Sequence, residues 1–215
     1  CPGNPIDYDA DGHAVYYCGG DACNDQDSPV HPGAQEVCDG VDSNCDGLDD
    51  LPGPEPCDYD SVCINGSYLT CSTNPGPTTV SGVLEQDTVW CAQNSPYLVD
   101  GSLVVLEGAT LSVGLCVEVK VADGGSIVLR GNLHVNGQRA NPVLFHSASQ
   151  TPVAGSWEGI IFSPVTKGDS SFTGMIIEHA GTALGFEGCS PCRALVKDSV
   201  IRLNEVGWRQ FPGSG

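Results

Sequence analysis

Carboxylates spaced two residues apart open the chain and predict a site for a hard metal ion. Asp7, Asp9 and Asp11 alternate along the sequence, and Gly12 follows them. In a calcium-binding loop, carboxylates at positions 1, 3 and 5 point to one focus, and glycine at position 6 permits a sharp turn. The peptide carbonyl of His13 would be the ligand at position 7. Position 12 holds a cysteine and not a glutamate, so a closing carboxylate must come from elsewhere in the chain.

Two further acidic sets follow before residue 51. Asp42, Asn44 and Asp46 repeat the spacing and precede Gly47. The loop they predict would be closed by the next two carboxylates, Asp49 and Asp50. A third set matches positions 1, 3 and 12 of a calcium loop and consists of Asp25, Asp27 and Glu36. One such set is also typical of an ordinary Asx-rich turn, whereas three together predict calcium as the cofactor.

The acidic stretch has no positive partners in its own sequence. Residues 1–74 contain 13 Asp and 2 Glu, and the first Lys or Arg of the chain is Lys120. Crowded carboxylates repel one another or stay protonated, so metal ions are the simplest counter-charge. A disordered acidic tail is the alternative, but glycines and cysteines interrupt the carboxylates. The net charge of −19 argues against nucleic acid and anionic membrane surfaces as partners.

Twelve cysteines indicate an oxidising compartment, and we therefore expect a secreted or cell-surface protein. Zinc is a weak alternative because Cys189–Cys192 is the one CxxC in the sequence. Cys1 is either a disulfide half or a lipidated first residue, and the even count favours the disulfide. Cys18–Cys23 and Cys38–Cys45 are plausible local pairs, although connectivity cannot be read from sequence. The disulfide candidates are Cys1, Cys18, Cys23, Cys38, Cys45, Cys57, Cys63, Cys71, Cys91, Cys116, Cys189 and Cys192.

The composition changes near residues 72–80, which predicts three parts. We expect an Asp- and Cys-rich metal-binding module at 1–74, a linker at 75–81 and a β-domain at 82–215. The β-domain contains short Val-, Leu- and Ile-rich segments bounded by turn residues, without a long amphipathic helix or an apolar run that could span a membrane. The predicted strands are 97–99, 102–106, 110–113, 116–121, 126–129, 132–135, 143–145, 158–162, 172–178 and 195–201.

A loose repeat within the β-domain predicts a solenoid. Gly101-Ser-Leu-Val-Val recurs as Gly125-Ser-Ile-Val-Leu. A step of roughly 20–25 residues is typical of one coil of a parallel β-solenoid. A β-sandwich also has many short strands and is the alternative fold.

Two resemblances follow from longer runs. Residues of about 7–50 resemble the MopE-type metal-binding repeat of bacterial secreted proteins, because the run from Cys23 reads C-N-D-Q-D-S-P-V-H-P-G-A-Q-E-V-C-D-G-V-D-S-N-C-D-G. Asn24 stands where that repeat usually has Asp. The family includes a copper-binding surface protein, but copper favours imidazole or soft donors and the five His are scattered along the sequence. The resemblance implies a metal role for Asp25, Asp27, Glu36, Asp39, Asp42, Asn44 and Asp46.

Residues of about 82–206 resemble bacterial surface proteins with a right-handed parallel β-helix. The runs that carry the resemblance are G-S-L-V-V-L-E-G-A-T-L-S-V from Gly101, G-N-L-H-V-N-G from Gly131 and G-S-W-E-G-I-I-F from Gly155. We therefore expect an all-β chain, with a short right-handed parallel β-helix after a small loop-rich module stabilised by calcium and disulfides. The resemblance is specific for fold and not for activity.

The expected function is that of a secreted, calcium-stabilised structural or adhesive protein of a bacterial cell surface or extracellular matrix. We expect no enzymatic activity, because the charged residues of the helical half form no recognisable catalytic cluster in the sequence. Partners would be further β-helix coils or other copies, giving an oligomer or filament, and an extracellular polysaccharide. A polysaccharide lyase or hydrolase, which would need a positioned base or paired carboxylates, and a copper-binding surface protein are the alternatives.

Overall fold

A computed structural model of the 215-residue chain describes residues 6–47, 57, 61–64, 66–71, 74–166, 168–189 and 192–211. The chain divides into two compact units. Unit 1 comprises residues 1–56 with 63–68, and unit 2 comprises residues 57–62 with 69–215. The domain boundaries expected from composition stay a prediction, and the first solenoid strand begins at Thr78, inside the segment predicted as a linker.

Unit 1 consists largely of loops, as the abundance of Gly, Pro and Asp predicts. Its described residues include a 3-10 turn at Tyr16–Cys18 and a parallel bridge between Val15 and Ala22. A two-stranded sheet of β1 (Ser61–Ile64) and β2 (Ser67–Thr70) spans the boundary of the two units in sequence. The buried apolar side chains described in unit 1 are few and small: Val15, Ala22, Val30 and Cys38.

Disulfides supplement this small core, but they do not join the nearest cysteines in sequence. Unit 1 contains Cys23–Cys45 and Cys38–Cys63, with Cα atoms 5.6 and 5.5 Å apart, and Cys18 is also disulfide-bonded. The local pairs Cys18–Cys23 and Cys38–Cys45 expected from sequence are therefore wrong. The loops fold back so that cysteines more than 20 residues apart come within bonding distance. Unit 2 contains Cys57–Cys116, Cys71–Cys91 and Cys189–Cys192, whereas Cys1 lies outside the described residues.

Unit 2 is a parallel β-solenoid of about five turns, which confirms the expected fold class. Its strands pair in parallel at every level. The strands are β3 (Thr78–Leu84), β4 (Thr88–Trp90), β5 (Tyr97–Val105), β6 (Thr110–Gly114), β7 (Glu118–Val121), β8 (Ser126–Leu129), β9 (Asn132–Asn136), β10 (Val143–Ser147), β11 (Gly159–Phe162), β12 (Gly168–Thr173), β13 (Met175–Ile177), β14 (Thr182–Glu187), β15 (Cys192–Lys197), β16 (Val200–Ile201) and β17 (Val206–Phe211).

These strands stack into three faces. The first half of β5 continues through β7, β10, β13 and β16, and its second half continues through β8, β11, β14 and β17. The third face runs β4, β6, β9, β12 and β15. Strand β3 pairs with both halves of β5 and shifts register between Val80 and Gly82, where the first two faces meet.

Alternating side chains of each strand fill the interior, because successive residues of a strand point to opposite sides. The inner row of the second face passes from Val105 through Leu129 to Phe162 and Phe186. The first three of these side chains are fully buried. Phe162 stacks on Phe186 and meets Phe172 of the third face edge-on. The core is therefore one continuous apolar column that positions the outer side chains coil by coil.

A left-handed backbone conformation recurs at the corner between the first two faces. Gly101, Gly124 and Gly155 adopt positive φ there, and in later coils His179 (φ 64°) and Leu203 (φ 57°) do so. Glycine adopts this conformation without strain, whereas a side chain makes it unfavourable. This conformation explains Gly101 of the predicted repeat, whereas a Cβ on Gly125 would lie 2.3 Å from the carbonyl oxygen of Gly101. Among the described residues, no helix is long and apolar enough to cross a membrane.

Candidate metal-binding loops

Two segments of unit 1 have the same backbone conformation. Loop 1 is residues 7–12 and loop 2 is residues 42–47. At position 4 both carry a residue in the left-handed region, Ala10 and Cys45, each with φ of 62°. At position 6 both carry a glycine with positive φ, 98° in Gly12 and 88° in Gly47. The spacing of carboxylates and glycine therefore corresponds to a shared local structure.

The same backbone hydrogen bonds orient the side chains of both loops. The N–H of position 6 donates to the Oδ2 of position 1 at 3.0 Å in loop 1 and 2.8 Å in loop 2. The N–H of position 5 donates to the Oδ1 of position 3 at 3.3 and 2.9 Å, respectively. These bonds turn the oxygens of alternate residues towards the inside of the loop, which is the arrangement that a hard cation requires.

Loop 1 concentrates carboxylate oxygens. The carboxylate oxygens of Asp7, Asp9 and Asp11 lie within 4.8 Å of one another. Among the described residues, no other group of three Asp, Glu, His or Cys side chains meets this distance. The Oδ2 atoms of Asp9 and Asp11 are buried and accept no hydrogen bond from the described residues. Burial raises the pKa of Asp9, and the negative charges of Asp11, Asp25 and Asp7 raise it further. Unpaired buried anions are unfavourable, so these residues fit a bound cation.

The third set expected from the sequence is divided between the two loops. Asp25 is 5% exposed, and its Oδ2 accepts the backbone N–H of Tyr8 in loop 1 at 3.2 Å. Glu36 is also 5% exposed, and its Oε1 accepts the backbone N–H of Asn44 in loop 2 at 2.7 Å. Asp27, by contrast, is exposed. Sequence spacing missed this division because each of these carboxylates contacts a loop from outside it.

The other candidate ligands have separate environments. Asp39 is exposed, and its Oδ1 accepts the N–H of Val41 at 3.0 Å, as in an ordinary Asx turn. The carbonyl of His13 remains the predicted ligand at position 7 of loop 1, and the N–H of His13 donates to Asp11 Oδ1 at 2.7 Å. Asp49 and Asp50 lie outside the described residues.

Two histidines that are 18 residues apart in sequence lie together in unit 1. The rings of His13 and His31 stack with centroids 4.7 Å apart and planes 5° from parallel. Nδ1 of His13 lies 3.1 Å from Asp21 Oδ1, and Nδ1 of His31 lies 3.1 Å from the carbonyl of Pro32. The histidines are therefore less scattered than the sequence indicates, and no spacing motif signals this pair.

On the solenoid, described charged residues pair along the outer ladders. Arg202 Nε donates to Glu178 Oε1 at 2.5 Å across one coil step. Glu118 Oε1 lies 2.9 Å from His146 Nε2 on the next coil and 3.3 Å from Lys120 Nζ. These pairs are partly exposed to solvent, which screens their attraction, so each contributes modest stability but aligns neighbouring coils.

The third face carries a half-buried histidine whose protonation should weaken the solenoid. His134 Nδ1 lies 2.8 Å from Ser171 Oγ on the next coil. Burial lowers the pKa of His134 from its ordinary value of 6.5, and the nearby charge of Asp169 opposes this shift. As the pH is lowered below 6.5, the unfolded chain therefore binds a proton at His134 more readily than the folded chain does. The stability of the folded protein decreases as a result.

We expect the replacement H134Q to reduce this acid sensitivity. The measurement is thermal unfolding at pH 7.5 and pH 5.5 in chelator, followed by tryptophan fluorescence. The decrease in Tm between the two pH values should be smaller in H134Q than in the unmodified protein, because the other titrating groups are shared. An equal or larger decrease in the variant would contradict the assignment.

Comparison with known families gives two matches, one in each half of the chain. Residues 23–50 match the family described as "Putative metal-binding motif" (Cu-binding MopE), and residues 82–178 match the pectate-lyase like beta helix domain. No curated protein and no solved structure matches the chain. The two family matches confirm the resemblances to the metal-binding repeat and to the β-helix proteins. The β-helix fold occurs in enzymes and in non-enzymes, so it does not decide activity, and the two parts together fit a surface or extracellular protein.

Proposed function

We propose that the chain is a secreted structural or adhesive protein of a bacterial surface or extracellular matrix, and that calcium stabilises its unit 1. The observation that carries this proposal is the pair of loops with one backbone conformation and inward-turned oxygen donors. Carboxylate, amide and carbonyl oxygens are the ligands that calcium prefers. The solenoid then serves as a scaffold that is not itself catalytic.

Charge supports a cation as a structural element of unit 1. No Lys or Arg occurs before Lys120, so this unit has none of its own to neutralise the carboxylates. Few of the apolar side chains that the structure describes in unit 1 are buried, so their burial contributes little to its stability. Small domains of this kind commonly depend on disulfides and metal ions together.

Calcium removal tests the proposal. We expect chelation to lower the Tm of unit 1 in the oxidised protein, and calcium at about 100 times its Kd to restore about 2.7 kcal/mol of stability. Far-UV circular dichroism and tyrosine NMR signals would follow unit 1, and the buried Trp90 and Trp157 would follow the solenoid. Isothermal titration would count the ions. The proposal fails if chelation changes neither the Tm nor the spectra.

The surface role needs its own test. A polysaccharide partner would be detected by binding of the whole protein to immobilised acidic and neutral glycans, and self-assembly by solution mass over a concentration series. Binding or assembly without breakdown of the glycan supports the structural role. Release of unsaturated or reducing sugar ends would instead support the polysaccharide lyase or hydrolase.

Copper is the second candidate, and one observation favours it. The matched motif belongs to a family named for copper, and the stacked rings of His13 and His31 supply the imidazole donors that copper prefers. Competition separates the two metals. If one equivalent of Cu²⁺ binds in the presence of millimolar Ca²⁺ and the variant H31Q loses it, copper is the ligand of that pair. If Ca²⁺ alone restores the stability of unit 1, calcium is its structural metal.

A further inference from the structure

Loop 1 lies outside the matched motif of residues 23–50, yet one carboxylate of that motif contacts it. Asp25 Oδ2 accepts the N–H of Tyr8, the residue at position 2 of loop 1. The charge of Asp25 also acts on Asp9 at position 3. These contacts locate the carboxylate of Asp25 next to the backbone of loop 1, outside the group of Asp7, Asp9 and Asp11 oxygens that lie within 4.8 Å of one another.

Asp25 also has the environment of a ligand. Its side chain is 5% exposed, and its Oδ1 is buried without a hydrogen-bond partner among the described residues. A carboxylate that is nine-tenths buried among other carboxylates is strongly unfavourable unless a cation neutralises it. The Oδ2 atoms of Asp9 and Asp11 are likewise buried without a hydrogen-bond partner among the described residues.

We infer that loop 1 and the carboxylate of Asp25 form one calcium site, which is distinct from the site of loop 2. The inference rests on the proposed calcium function and specifies its ligands. It answers the question posed by Cys18 at position 12, because Asp25 supplies the closing carboxylate that the loop itself lacks. The neighbouring disulfide Cys23–Cys45 fixes the backbone that presents Asp25.

The site also explains why Asp25 and Asp27 differ although both occur in the acidic motif. Asp25 is buried at loop 1, whereas Asp27 is exposed. The sequence pattern treats them as positions 1 and 3 of one loop. The structure instead assigns Asp25 to the upstream loop and leaves Asp27 at the surface, which makes D27N a matched control for D25N.

Terbium luminescence sensitised by tyrosine can report on this site separately. Tyr8 belongs to loop 1, and Tyr17 is close enough to interact with both Tyr8 and Asp25. Loop 2 contains no aromatic residue. Terbium replaces calcium at oxygen-donor sites, so its sensitised emission and the displacement of that emission by calcium measure the affinity of loop 1.

In the oxidised 215-residue chain, we expect D25N to weaken calcium displacement of terbium by about tenfold, because ligand charge sets the affinity of such sites. D9N should act similarly, and D27N should stay within about twofold of the unmodified protein. A D25N affinity equal to that of D27N overturns the inference. If the unmodified protein binds no calcium, the proposed function fails first, so the two failures are distinguishable.

A measurement without substitutions guards against misfolding of D25N. In the unmodified protein labelled with ¹³C, the side-chain carboxyl carbon of Asp25 should shift as the first calcium ions bind, together with that of Asp9. The carboxyl carbon of Asp27 should not shift. A shift of Asp27 without a shift of Asp25 would overturn the inference.

Discussion

The replacement F162A is expected to destabilise the solenoid by about 3–5 kcal/mol, because it removes a large buried aromatic side chain and leaves a cavity. Phe162 is fully buried, lies 4.5 Å from the ring of Phe186 in a stacked geometry and meets Phe172 edge-on at 6.1 Å. Its loss therefore affects two faces and two coils at once. For a domain of this size, Tm should fall by about 6–20 °C.

Tryptophan fluorescence during denaturant unfolding is the measurement for F162A, since Trp90 and Trp157 are buried in the same core. The control is V153A, at a side chain that is 65% exposed, and it should change stability by less than about 0.5 kcal/mol. F162L should lose less than F162A because it leaves a smaller cavity. Equal effects of F162A and V153A would show that the aromatic column does not stabilise the solenoid.

Removal of the disulfide Cys23–Cys45 by C23S/C45S is expected to destabilise unit 1 by about 3 kcal/mol. This disulfide joins residues separated by 22 positions. In the chain-entropy model, a loop of this length lowers the conformational entropy of the unfolded state by an amount equivalent to about 3 kcal/mol. Unit 1 buries few apolar groups that could compensate, so we expect this change to unfold much of it at 37 °C. Limited proteolysis, with the sites of cleavage read by mass spectrometry, would locate the unfolding.

The disulfide Cys189–Cys192 provides the matched control. It closes a separation of three residues, for which the same relation gives about 1.6 kcal/mol, and it belongs to unit 2. C189S/C192S should leave the protease resistance of unit 1 unchanged. Cleavage of unit 1 at the same rate in both double variants would show that the Cys23–Cys45 disulfide has no particular structural role.

Much of the solenoid could be predicted from sequence, because short apolar segments with turn residues at their ends are a local signal. The segments 110–113, 126–129 and 132–135 correspond closely to β6, β8 and β9. The segment 172–178 proved to be two strands, β12 and β13, because Gly174 has φ of 58° and turns the chain between them.

Other strands had no such signal. Strand β3 (Thr78–Leu84) begins inside the segment 75–81 that was predicted as a linker and continues past its end. Only its pairing with β5 identifies it as a strand. Strand β14 (Thr182–Glu187) contains Gly185, which packs under the side chain of Ile161. Strand β14 contains one β-branched residue, Thr182, so its tertiary pairing and not local propensity determines it. Strand β3 contains four β-branched residues, and the Pro and Gly residues just before it obscured its signal.

For the candidate metal loops, sequence predicted the carboxylates of each loop but not the carboxylates from elsewhere in the chain that contact it. Position spacing is a local property, and the two loops have the turn geometry that it implies. The contacts of Asp25 with loop 1 and of Glu36 with loop 2 depend on how the chain folds back over 17 and 8 residues. The stacking of His13 on His31 is a long-range contact of the same kind.

The parallel stacking of the solenoid has a consequence for how this chain can change over evolutionary time. Facing residues are one coil apart, from 19 positions for Thr78 and Tyr97 to 37 for His134 and Ser171. Each coil therefore contacts only its neighbours, as in other repeat architectures. Residues can be inserted at a corner, as in the long connection between β10 and β11, without altering the register on either side. Whole coils can be duplicated or lost for the same reason, so the length of the solenoid can evolve independently of its core packing.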